Sequence, residues 1–70
     1  MFEASDLRAR IRRLDELTRG LMKEVVIVED AQDPLLYLER RAYLTALREA
    51  VSGLETARVT LARALQRLQE

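Results

Sequence analysis

Four arginines crowd the start of the chain, at Arg8, Arg10, Arg12 and Arg13. Guanidinium groups at that density suit phosphate, which each planar fork can grip through paired N–H donors. On a helix, however, neighbouring residues point in different directions, and Asp6, Asp15 and Glu16 sit among the arginines. No aromatic side chain is interleaved to stack on a base. The cluster therefore reads as a solvated, salt-bridged face, and no nucleic-acid partner is expected.

Arg40 and Arg58 are different, because they fall within an apolar repeat. A charge at such a position can fix the register of two helices through an ion pair, at some cost in stability. The expected pairs are Arg40 with Glu24, and Arg58 with Asp6 or Glu3. The alternative is that both side chains lay their stems along the core and send their heads to water.

Other reactive groups are sparse. Helix bundles build di-metal sites from glutamates and Glu-x-x-His pairs, but the chain has no His and no Cys. Glu39, Glu49 and Glu55 then read as surface residues, with no metal and no cofactor expected. Tyr37 and Tyr43 have core-facing spacing, with the hydroxyls reaching water. No nucleophile has a histidine base and no glycine-rich loop is present, so neither an enzyme nor a small-molecule substrate is expected.

The 12 basic and 12 acidic side chains cancel. Zero net charge removes the long-range field that nucleic-acid and anionic-membrane binders use, and makes self-association easier. Charges begin at Glu3, and the longest aliphatic run, Val25 to Val28, is far short of the ~20 residues of a membrane span. The expectation is a soluble, cytoplasmic chain with no membrane partner.

The elements that position these groups are helices. Asp30-Ala31-Gln32-Asp33-Pro34 interrupts two long segments rich in Leu, Ala, Arg and Glu. Pro34 suits a first helical turn and Asp33 suits the cap before it. One all-α domain over residues 1–70 is predicted: a helix over about 6–29 capped by Ser5, a loop over about 30–33, and a helix over about 34–69. Such a short loop returns the second helix antiparallel to the first.

In the first helix Leu7, Ile11, Leu14, Thr18, Leu21, Val25 and Val28 alternate steps of four and three, the coiled-coil repeat. Leu17 and Met22 flank this seam. Heptad spacing runs through Val25–Val28, so this run is expected to be helical despite its β-branched residues. The second helix carries Tyr37, Arg40, Leu44, Leu47, Val51, Leu54, Arg58, Leu61, Leu65 and Leu68 in the same rhythm. A column of Tyr43, Ala50, Ala57 and Ala64 runs beside them and would admit a neighbouring helix closely. Gly20 permits a bend or a close contact; Gly53 interrupts no period.

Folded tightly at the loop, Val25 would lie near Leu38, Leu14 near Ala50 and Leu7 near Ala57, with Met1 and Phe2 reaching toward Leu61 or Leu65. A first helix of about 24 residues spans roughly 36 Å and a second of about 36 roughly 54 Å. Leu65 and Leu68 would then lack cover. The reading is a coiled-coil-like antiparallel hairpin that dimerises into a four-helix bundle through Leu44, Leu47, Val51, Leu54, Leu61, Leu65 and Leu68.

Two families offer comparison. The segment Leu7-Arg8-x-x-Ile11-x-x-Leu14-Asp15 resembles the start of the all-helical chorismate mutases over about a third of the chain; its spacing is generic to coiled coils, so no catalytic residue is carried over. The layout of a shorter and a longer helix around a tight loop is similar to that of the small hairpin chaperones of type III secretion. That resemblance implies the alternative function, an adaptor burying an amphipathic helix of another protein.

Overall fold

A computed structural model of the chain describes residues 3–30 and 37–69. Helix α1 runs from Ala4 to Asp30 and helix α2 from Tyr37 to Gln69, and the two pack against each other. The molecule is a rod 52 Å long and 16 by 15 Å across. The expected loop after Asp30, the Asp33–Pro34 cap and the reach of Met1 and Phe2 lie outside the described residues.

The start of α1 differs from expectation. The Leu7 N–H bonds to the Glu3 carbonyl at 3.1 Å, which makes Glu3, rather than Ser5, the capping residue. The Asp6 carboxylate reaches back to accept the Glu3 N–H at 3.3 Å. A side chain three places into a helix can satisfy an otherwise unpaired donor in this way, and its negative charge sits well at the positive end of the helix dipole. Ser5, already inside the first turn, is exposed.

The predicted seam of α1 is the face that is covered. Leu7 and Val28 are buried, and Ile11, Leu14, Thr18, Leu21 and Val25 are half-buried. Thr18 fits this apolar row because its hydroxyl donates to the Leu14 carbonyl at 2.8 Å, leaving its methyl to pack. The run from Val25 to Val28 is helical; Val25 and Val28 turn inward while Val26 and Ile27 face solvent.

In α2, Leu47 is buried and Arg40, Leu44, Val51, Leu54, Leu61 and Leu65 are half-buried. Toward its end the covered face rotates: Ala57 and Ala64 are half-buried, whereas Arg58 and Leu68 are exposed. Arg58 sends its guanidinium outward to Asp15, and the small Ala57 lies beside Leu14 of α1. Tyr37, expected to face the core, is 71% exposed.

The register is also displaced from the expected one. Leu14 shares a groove with Ala57 and Leu61, not Ala50, and Leu21 shares one with Ala50 and Leu54. Ion pairing agrees, with Asp15 on Arg58 and Glu29 on Arg48. The slide is about one heptad or slightly more. Seam patterning alone does not fix the phase, because a heptad slide leaves each seam facing the other. The end holding Leu7 and Leu65 is therefore better covered than expected, while Tyr37 and Leu38 at the opposite end of α2 are largely exposed.

Candidate interaction surface

Heptad spacing places Asp15, Met22 and Glu29 along one side of the α1 seam and Arg10, Leu17 and Glu24 along the other. The two flanks of the hairpin differ in chemistry. On the first, Arg58 Nε donates to Asp15 Oδ1 at 2.7 Å, and Arg48 donates through a terminal guanidinium nitrogen to Glu29 Oε1 at 2.7 Å. Thr18, Glu55 and Val59 surround the Asp15–Arg58 pair. Both pairs are part-exposed, so each contributes at most about 1 kcal/mol. Their value is positional, because they distinguish one heptad register from the next.

The carboxylate that Arg58 meets is Asp15, where Asp6 or Glu3 was expected. Glu24 meets Tyr43, whose hydroxyl donates to its Oε1 at 3.0 Å. Arg40 is half-buried. If the pairs on Asp15 and Glu29 choose the register, Arg58→Leu combined with Arg48→Leu releases a second one. Spin labels at Arg19→Cys and Ser52→Cys, diluted with unlabelled chain, should then report a second distance population from a slide of about 10 Å. A single unchanged population would remove the registry role.

The second flank is apolar and shallow. At one level it is lined by Arg10, Arg13, Leu14, Ala57, Thr60 and Leu61. At the next, Leu17, Gly20 and Leu21 of α1 face Ala50, Gly53 and Leu54 of α2, with Glu16 at the edge. A methyl group built on either Gly20 or Gly53 would meet nothing within 4 Å. The two glycines therefore open a notch at the same level of both helices. Tyr43 and Glu24 bridge the helices farther toward the Asp30 end.

The hydrogen bond to Glu24, followed by desolvation and the carboxylate's charge, raises the Tyr43 pKa. A proton held more tightly in the folded chain stabilises it below the phenol's ordinary range, and that contribution is lost as pH rises through the folded value. The thermal midpoint of the wild type should consequently fall more on going to strongly alkaline pH than that of Tyr43→Phe. Equal falls would show that the bond does not form in solution.

The remaining candidates disperse. Arg8, Arg10, Arg12 and Arg13 are all exposed, and Arg13 pairs with Glu16 at 3.6 Å along its own helix. Glu39, Glu49 and Glu55 are exposed, and no group of three or more potential metal ligands gathers among the described residues. Among those residues no helix is long and apolar enough to cross a membrane. Of the seven side chains read as an oligomer interface, Leu47 is buried, five are half-buried and Leu68 is 53% exposed. Most of them serve the contact between α1 and α2. The pairing of Gly20 with Gly53 escaped the sequence reading because it depends on the register.

No protein-family model matches the chain, and neither does any curated protein or solved structure.

Proposed function

We propose that this chain is a non-enzymatic interaction protein of the cytoplasm, a coiled-coil-like hairpin that pairs with a second copy to form a four-helix bundle. The supporting observation is how little of its apolar surface the hairpin hides. Among the described residues Leu7, Val28 and Leu47 are the buried ones, while Leu17, Met22, Val26, Ile27, Tyr37, Leu38, Tyr43, Val59 and Leu68 remain between 41% and 75% exposed. A domain of this size without cysteines has a marginal core, and oligomerisation is one route to the further burial it needs.

Mass action supplies the test. A chain that folds as it dimerises melts at a higher temperature when its concentration rises. The thermal midpoint should climb steadily across a hundredfold concentration series. A midpoint that does not move would contradict self-assembly. A chain that stays poorly helical at every concentration, and folds on co-expression with a helical protein, would favour the adaptor reading instead.

A further inference from the structure

Gly20 and Gly53 are costly choices in the middle of two long helices, since each lowers helix propensity by about 1 kcal/mol against Ala. The hairpin itself does not require them, because a Cβ at either position meets nothing. They nevertheless lie in one groove, with Leu17 and Leu21 on one side and Ala50 and Leu54 on the other. Their absent side chains admit something from outside.

We propose that a second copy of this chain docks on this flank, about a two-fold axis that lies in the flank and crosses both helices at the level of Gly20 and Gly53. The inference rests on the self-association proposed above and specifies its face and geometry; of the exposed apolar side chains, this face covers Leu17 and Tyr43. Self-complementarity is what an isologous contact demands, and this flank has it in both shape and charge. On α2 the stripe Tyr43, Ala46, Ala50, Gly53, Ala57, Thr60 and Ala64 is balanced about Gly53. The axis brings Gly53 of the two copies together, sets Ala50 against Ala57, and lays each Tyr43 over the other copy's Ala64.

On α1, Arg13 and Glu24 lie about equally far to either side of the segment from Leu17 to Gly20. The same rotation lays Arg13 of one copy beside Glu24 of the other, and Leu17 of one copy over the Gly20 notch of the other. Both charged groups already have partners in the lone hairpin, Arg13 in Glu16 and Glu24 in Tyr43, and the dimer contact exchanges or shares them. Size is adequate as well. A stripe from Tyr43 to Ala64 is about 32 Å long, and two helices at roughly 10 Å each make it about 20 Å wide. The footprint, about 640 Å², falls just inside the range of roughly 600–1,000 Å² per partner of stable interfaces. Glycine and alanine along its centre allow axes to approach to about 8 Å, the near end of helix packing.

The test compares dimer dissociation constants of the full chain by analytical ultracentrifugation. Gly53→Leu should retain or raise helix content in the far-ultraviolet spectrum, because leucine is the better helix former and a Cβ at this position meets nothing within 4 Å. It should nonetheless weaken the dimer by roughly tenfold or more, through overpacking at the contact. Arg13→Glu should weaken it too, and Arg13→Glu with Glu24→Lys should recover much of the loss, whereas Met22→Glu on the other flank should change little. A wild-type dimer insensitive to Gly53→Leu, or broken by Met22→Glu, would overturn this face and leave self-association standing. A wild type that never dimerises would overturn both.

Discussion

Leu47→Ala is expected to unfold most of the chain at room temperature. Leu47 is 7% exposed and lies in the central stretch of α2 where the two helices meet. Truncating a buried leucine costs about 2–5 kcal/mol, made up of lost transfer energy and the cavity left behind. A single core of this size supplies only about 3–5 kcal/mol, so the substitution removes most of the margin. Urea denaturation followed by circular dichroism should place the loss above about 2 kcal/mol, with a midpoint near zero denaturant. A change below about 1 kcal/mol would mean that Leu47 is at the surface, and that α2 packs in another register or on another face.

Ala50→Glu is expected to have the largest effect on assembly. Ala50 is exposed in the lone hairpin, and in the groove it borders Gly53 and Leu54. The hairpin can therefore accept a glutamate there, and the exchange of one good helix former for another costs little within α2. In the proposed dimer the same side chain faces Ala57 of the second copy, and the two-fold axis introduces two such carboxylates at once. A charge buried without a partner costs several kcal/mol in practice, enough to raise the dissociation constant by roughly a thousandfold or more. Light scattering should find the variant monomeric at concentrations where the wild type is paired. A variant still fully dimeric would show that Ala50 remains in water when the copies meet.

Such contrasts between neighbouring positions show which parts of this fold were legible in the residues. The alternation of three and four from Leu7 to Val28 identified the covered face of α1 residue by residue, because burial of an apolar stripe is a local, periodic demand. The β-branched run at Val25–Val28 yielded to that demand and is helical. The register was not legible. Heptad patterning is degenerate under a slide of seven residues, and the features that break the degeneracy, Asp15 with Arg58 and Glu29 with Arg48, are exposed charges with many conceivable partners. Arg58 was misplaced for a related reason. Its long side chain reaches outward to Asp15, and the neighbouring Ala57 and Ala64 are the half-buried residues.

The interaction surface was half legible. The alanine column stood out in the sequence as a place for close approach, and the leucines beside it were read as the docking residues themselves. In the fold those leucines, Leu44, Leu54 and Leu61 among them, are half-buried by α1; of the column, Tyr43 and Ala50 are exposed beside the glycine notch, while Ala57 and Ala64 are half-buried. Single-helix periodicity separates inner from outer positions. It does not say which of two flanks stays open, because that depends on where the second helix places its charges.

The measurement that bears most directly on all of this is the solution mass of the unmodified chain, by light scattering across a wide concentration range. Pairing predicts twice the 8.1 kDa chain mass, persisting on dilution until the helices themselves melt. A mass of 8.1 kDa at high concentration, with helix content intact, would contradict it.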